Sequence, residues 1–249
     1  MYRTLSPILA PLIALVGLGT GPAPLAAQQL SYGEADAGYG AELELRLARN
    51  FGMENNFKRI AGSFASDRLG FAGLQMDISV SKFEETYSTA PSAGAHLYRR
   101  LGGGTVVGGF IAGDDLRPGN YFYAGIEAKH QAGPVSLEGY LAHIDVIKSG
   151  DSGVRYGLDA DFGLDHPGRM GFSAVRAGYH GADLRGQSHG YAYLGTSFDM
   201  GRGVSLSAMA GQNDDHETIA GFSASFAIGN GPTFRRRDWY AGLPGNAGP

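Results

Sequence analysis

The sequence contains no cysteine among its 249 residues, and tryptophan occurs once. Without cysteine the chain cannot form disulfides, thiolate metal sites or a catalytic thiol. An apolar run of the roughly 20 residues that a transmembrane helix needs is also missing, because the longest run, Ile8–Leu18, is interrupted by Pro11 and Gly17. No basic patch suggests nucleic acid as a partner. The sequence therefore argues for a disulfide-free protein that has no transmembrane helix and does not bind nucleic acid.

The first 27 residues have the order of a secretory signal peptide. Arg3 supplies the basic start, Ile8–Leu18 the apolar middle, and Ala26 with Ala27 the small-residue end. We therefore predict a signal peptide over residues 1–27 and a mature chain that starts at Gln28. The mature chain has 19 basic and 24 acidic residues, a mild net charge of −5.

Glycine is abundant, with 41 of 249 residues against a usual share of roughly 7%. Tyrosine and phenylalanine contribute 13 residues each. No Gly-X-Y repeat is present, which excludes collagen, and the 43% of hydrophobic residues argues against disorder. Glycine combined with aromatic residues suits a sheet protein with tight turns and crowded surfaces.

The main structural signal is a period of two. Ala72–Ser81, Val154–Leu164 and Ala220–Ile228 alternate apolar and polar residues almost without exception, as expected for strands with one apolar and one polar face. Together with less regular segments they predict about twelve strands. The less regular segments are Glu42–Leu47, Phe122–Lys129, Val135–Leu141, Tyr191–Phe198, Val204–Met209, Ile60–Ser66, Ala93–Arg100, Val106–Ala112 and Gly171–Tyr179.

Two architectures fit these strands. A soluble β-sandwich would also show one wet face. A membrane barrel is favoured because the polar faces are rich in glycine and serine with charges of both signs. It is also favoured because the predicted connections alternate in length, as Asn50–Lys58 and then Ser66–Gly70 illustrate. Long outer loops and short periplasmic turns alternate in an up-and-down barrel.

At this point the sequence resembles the Gram-negative outer-membrane β-barrel class and looks like a small porin-like protein. The resemblance implies an all-β, antiparallel up-and-down transmembrane barrel of about twelve strands over residues 28–228, located in the cell outer membrane. It also implies outer-membrane lipid, lipopolysaccharide and the barrel-assembly machinery as partners. Members usually end on an aromatic residue of the final strand, a setting that Phe226 has.

The chain continues beyond that strand as a Gly/Pro-rich stretch, residues 229–249. We predict a loose periplasmic tail. Its basic run, Arg235–Arg237, suggests contact with peptidoglycan or anionic headgroups, but a solvated tail is the favoured interpretation.

No constellation of catalytic residues stands out. Asp214–Glu217 is the densest acidic cluster and suggests a divalent-cation site bridging lipopolysaccharide phosphates, although a solvated loop is favoured. His96, His143, His180 and His189 have no serine partner at a diagnostic spacing. We therefore predict no catalytic residue, no metal site and no cofactor.

The inward faces carry the best candidate site. They predict a lumen with seven acids and three bases. Where the lumen has room, arginine at Gly157 or Ser79 should destabilise the protein less than arginine at the outward neighbours Leu158 and Ile78. The functional interpretation is a narrow path for small solutes or ions with mild cation preference. The alternative is that the charges pair across the lumen and plug it. The predicted lumen residues are Glu42, Glu44, Arg46, Asp77, Glu127, Lys129, Glu138, Arg155, Asp159 and Asp161.

Three functions therefore remain open. A passive channel comes first, a non-conducting barrel for envelope integrity or adhesion second, and a barrel lipase or protease third.

Overall fold

The computed structural model describes residues 38–52, 55–69, 72–83, 89–115, 119–164, 171–184 and 186–237. The predicted signal peptide, residues 1–27, lies outside this part of the chain. None of the described residues belongs to a helix long and apolar enough to cross a membrane. The strands are β1 (Tyr39–Asn50), β2 (Asn55–Ser66), β3 (Gly73–Phe83), β4 (Thr89–Gly102), β5 (Thr105–Asp115), β6 (Asn120–Ala132), β7 (Val135–Val146), β8 (Asp151–Gly163), β9 (Gly171–Leu184), β10 (Gln187–Gly201), β11 (Val204–Asn213) and β12 (Thr218–Gly229).

The strands form a closed barrel in which each strand pairs antiparallel with the next. β12 closes the barrel by pairing with β1, where Leu43 lies opposite Phe226 and Leu47 opposite Phe222. The predicted all-β up-and-down barrel of about twelve strands is confirmed. The weakly alternating segments also form strands, because pairing to neighbours on both sides compensates for an irregular sequence.

The outer face of the barrel is apolar. Ile78, Leu194 and Phe222 are 67%, 66% and 69% exposed, although a soluble sandwich would bury its apolar face between two sheets. A closed barrel satisfies its backbone hydrogen bonds internally, and its apolar outer surface then matches lipid hydrocarbon. The exposed apolar face therefore favours the membrane barrel over the sandwich.

The predicted alternation of long and short connections is confirmed only in part: three of the five predicted tight turns have two residues, but the other two have six and seven. We call the end where β1 begins and β12 finishes the terminal end. Its connections have six, two, two, seven and two residues, whereas those at the opposite end have four, five, four, four, two and four. The predicted loop His180–Gly190 shows the reason: β9 continues to Leu184 and β10 starts at Gln187. Polar residues that looked like loop residues lie on strand ends.

The lumen changes character along the barrel. Towards the opposite end it is filled by apolar and aromatic side chains from β1–β7 and β9 rather than by polar ones. The alternating pattern did not predict this apolar interior, because the inward tyrosines were counted as part of the polar face. The largest of these buried side chains are Phe57, Phe83, Phe110, Tyr121, Tyr123, Tyr140, Ile144 and Leu184.

Candidate functional site

The chain returns into its own barrel after β12. Gly229 and Gly231 have φ angles of +64° and +65°, a left-handed conformation that glycine adopts without steric cost. Gly40, on the neighbouring strand, leaves space for this turn, because a Cβ there would collide with the carbonyl of Gly231. The turn leads Thr233–Arg237, which we call the inner segment, into the lumen.

The prediction of a loose, solvated tail is wrong for the inner segment. Phe234 and Arg237 are only 1% and 3% exposed. The composition of the tail suggested solvation, but its three arginines find carboxylates on the barrel wall, which compensates for their burial. Residues 238–249 lie outside the described residues, and the periplasmic side of the tail remains a prediction.

Gln75 of β3 pairs with the main chain of the inner segment. Its Nε2 donates to the carbonyl of Phe234 at 2.8 Å, and its Oε1 accepts the N–H of the same residue at 2.9 Å. Lys129 Nζ donates to the carbonyl of Thr233 at 3.0 Å. The segment is thus fixed in register as a peptide and not only through its charges.

The main-chain contacts continue along the segment. Glu138 Oε1 accepts the N–H of Arg235 at 2.9 Å, and Arg155 Nη1 donates to the carbonyl of Arg237 at 2.8 Å. Such contacts satisfy backbone groups that would otherwise be costly to bury.

The Phe234 ring packs between two aromatic rings of β4. It stacks on His96, with centroids 6.2 Å apart and an interplanar angle of 13°, and meets Tyr98 edge-on at 5.9 Å. The His96 ring itself bridges two acids, with Nδ1 2.7 Å from Glu127 and Nε2 2.8 Å from Asp77. The wall therefore forms a pocket for the ring of Phe234.

Arg237 lies deepest in the ion-pair network. Its Nε is 2.8 Å from Glu127 Oε2, and its Nη2 is 2.6 Å from Glu138 Oε1. The guanidinium also lies 4.5 Å from the centroid of the Tyr140 ring, a cation–π distance. Two carboxylates and an aromatic face compensate for the loss of water around this cation.

Arg236 reaches the β1 side of the wall. Its Nη2 is 2.8 Å from Glu44 and its Nη1 is 3.1 Å from Glu42, while Nη1 also donates to Ser63 Oγ at 3.0 Å. Glu44 additionally pairs with Arg46 at 3.1 Å.

Arg235 points to β8. Its Nη2 is 2.5 Å from Asp161 and its Nε is 3.7 Å from Asp159. Asp161 also pairs with Arg176 at 2.6 Å, and Asp159 accepts a hydrogen bond from Tyr193. Each arginine of the segment therefore lies against two carboxylates of the wall.

All ten predicted lumen residues have side chains in the barrel interior, and lining a conducting path remains a prediction for them. Sequence reasoning missed two wall bases, Arg59 and Arg176, because β2 and β9 alternate weakly. They add to the ten predicted charges, as does the buried Asp114 of β5, which is 3% exposed, and the inner segment contributes three more bases. The wall residues that are absent from the predicted lumen set are Arg59, Gln75, His96, Asp114, Arg176, His180 and Tyr193.

A small cavity lies beside the arginines of the segment. This cavity of about 20 Å³, lined by the three arginines and wall residues such as Asp159 and His180, holds about one water. The lumen has no room at Gly157, because a Cβ there would collide with Tyr140 and His180. Ser79 is likewise buried.

The β10–β12 side of the lumen is different. Their neighbours Leu206 and Phe222 project outward, so the serines of these strands face the lumen. The partly exposed serines are Ser205, Ser207, Ser223 and Ser225. Ser205 Oγ and Ser225 Oγ are 2.8 Å apart. These small polar side chains are accessible to water on this side of the lumen.

The histidine and the acidic cluster that are candidates for catalysis or metal binding make contacts within the barrel. His180 lies 3.1 Å from Asp159 and 3.3 Å from the Tyr140 hydroxyl. In the acidic cluster, Glu217 Oε2 accepts hydrogen bonds from Asn50 at 2.9 Å and Asn213 at 2.8 Å. Within the described ranges no group of three or more His, Asp or Glu residues is arranged to hold a metal ion.

No family model matches the sequence, and no curated protein matches it. Solved structures do match in fold. The NanC porin has a TM-score of 0.60 at 9% identity, covering 74% of this chain and 98% of that one. The KdgM porin has a TM-score of 0.57 at 10% identity, with the same coverages. The KdgM porin in complex with disordered oligogalacturonate has a TM-score of 0.55 at 9% identity, covering 75% and 98%. The chain therefore shares the barrel fold of these porins.

Proposed function

We propose that this protein is a porin-like channel of the outer membrane that passes small solutes or ions and prefers cations. The observation that carries the proposal is the set of seven carboxylates that five strands direct into one lumen. Acidic side chains around a narrow lumen attract cations and repel anions. The carboxylates belong to Glu42, Glu44, Asp77, Glu127, Glu138, Asp159 and Asp161.

The size and the polarity of the lumen support this function. A barrel of twelve strands is wider than the filled eight-stranded type and narrower than 16-stranded channels. The serine-lined side of the lumen is accessible to water. The KdgM porin binds oligogalacturonate, a polyanion, whereas an acidic wall supports the opposite charge preference here.

A second candidate is a non-conducting barrel with a structural or adhesive role. The filled lumen favours it, because the inner segment and the aromatic side chains occupy much of the interior. We propose no catalytic role, since the buried histidines His96 and His180 pair with wall acids.

Reversal potentials in planar bilayers under a salt gradient test the channel. Glu42 and Asp161 are the acids to change, because their side chains are 22% and 26% exposed and therefore meet water. In the double variant Glu42→Gln/Asp161→Asn the ratio of cation to anion permeability should fall towards unity. Amide side chains preserve the volume and remove the charge.

The matched control is Asp214→Asn/Asp215→Asn, which removes two exposed charges from the β11–β12 connection. Its permeability ratio should equal that of the wild type. The absence of channel openings both in the wild type and in a variant without the inner-segment arginines would refute the channel and favour the structural barrel. Equal selectivity in both double variants would refute the role of the lumen acids.

A further inference from the structure

The wall around the inner segment has the properties of a peptide-binding site. Main-chain atoms of four of the five segment residues bond to wall side chains. The wall side chains come from four different strands, so the site depends on the closed barrel and not on one hairpin. The pairs are Thr233 with Lys129, Phe234 with Gln75, Arg235 with Glu138 and Arg237 with Arg155.

The side-chain pockets define what the site accepts. Three successive arginines each meet two carboxylates, and the residue before them inserts an aromatic ring between His96 and Tyr98. Guanidinium groups suit such sites because their planar donors can bond two acceptors at once. The pocket therefore matches an aromatic residue followed by consecutive basic residues.

We propose that the lumen binds basic peptides with consecutive arginines, and that the inner segment occupies this site in place of a peptide from outside. The inference rests on one part of the proposed function, the water-accessible lumen through which the peptide enters. A tethered competitor has an effective concentration in the millimolar range, so an external peptide must displace the segment. Only a peptide that binds the wall tightly enough to displace the segment therefore enters the lumen.

A binding measurement on the full-length chain in detergent tests this proposal. The probe is a fluorescent peptide, Thr-Phe-Arg-Arg-Arg with blocked termini, and the readout is its anisotropy. The triple variant Arg235→Gln/Arg236→Gln/Arg237→Gln weakens the competitor and keeps the wall. It should bind the probe at least about tenfold more tightly than the wild type, because the tethered arginines no longer compete.

A charge-matched variant controls for the loss of three positive charges. Arg68, Arg99 and Arg202 are exposed at the terminal end, and their replacement by glutamine should leave binding at the wild-type level. Tightened binding in this control would indicate a nonspecific charge effect and overturn the proposal.

Two further ligands separate peptide recognition from charge. A citrulline peptide keeps the backbone and removes the guanidinium charge, so it should not bind. Spermine keeps charge without a peptide backbone. Adding Gln75→Ala to the triple variant should weaken peptide binding and leave spermine binding unchanged. Equal binding of the arginine and citrulline peptides, or no effect of Gln75→Ala, would overturn the proposal.

The wild type provides a second measurement that does not depend on folding of the variants. Excess peptide should raise hydrogen exchange at the amides of Phe234 and Arg235, because their bonds to Gln75 and Glu138 are lost. Unchanged exchange at saturating peptide would overturn the proposal.

Failure of the channel and failure of the peptide site give different results. Peptide binding without conductance would leave the peptide site standing and remove the channel. Conductance without peptide binding would leave the channel and remove the peptide site.

Discussion

Arg237 is the residue whose environment depends most on the closed barrel. Its side chain is 2% exposed, and its two carboxylate partners belong to neighbouring strands β6 and β7. Removal of one partner from a buried ion pair leaves the remaining charge without compensation. The stability of the barrel should therefore respond to this one residue.

We expect Arg237→Gln to lower the free energy of unfolding by about 3–5 kcal/mol, the usual effect of breaking a buried ion pair. Denaturant unfolding in lipid vesicles measures this loss. Arg202→Gln, at an exposed turn, should change stability by no more than about 0.5 kcal/mol. A loss of the same size in both variants would mean that the Arg237 contacts do not stabilise the barrel.

At the residue scale the sequence predicted which face a side chain occupies but not its partner. Glu127 and Glu138 follow from strand alternation, whereas their partner Arg237 lies 110 and 99 residues away in the chain. Pairing over such distances depends on barrel closure and on the path of the tail. The composition of that tail pointed instead to solvent.

The strand is the scale at which sequence reasoning worked best. β3 alternates strictly, and its outward residues Met76, Ile78 and Val80 are exposed as predicted. Alternation is a local property that one sequence contains, and it recovered even weak strands such as β9. Connection lengths were predicted only in part because strand ends with polar inward residues resemble loops.

The outward face of β3 permits a test of membrane depth. Ile78→Arg, at mid-strand, should cost about 2–4 kcal/mol of unfolding free energy, because a charge at the bilayer midplane is poorly solvated. Leu74→Arg, on the same face near the strand end, should cost about 0–1 kcal/mol. Unfolding in vesicles measures both. Equal costs at the two positions would contradict the assignment of this face to lipid.

At the scale of the whole molecule, the barrel joins an acidic wall to a basic inner segment. Sequence alternation predicted the wall, and the choice between an open and a plugged lumen stayed open because it depends on how the tail packs. The inner segment pairs with acids that would otherwise attract solutes. We therefore expect the proposed conduction to increase when the segment leaves the lumen.

The mean single-channel conductance in planar bilayers tests this account most directly. The wild type is compared with the variant in which Arg235, Arg236 and Arg237 are all glutamine. We predict a conductance several times larger in this variant, because the segment loses its ion pairs and leaves an acidic lumen. The control with glutamine at the three exposed terminal-end arginines should conduct like the wild type. Equal conductance in all three proteins, or none in any of them, would contradict the account.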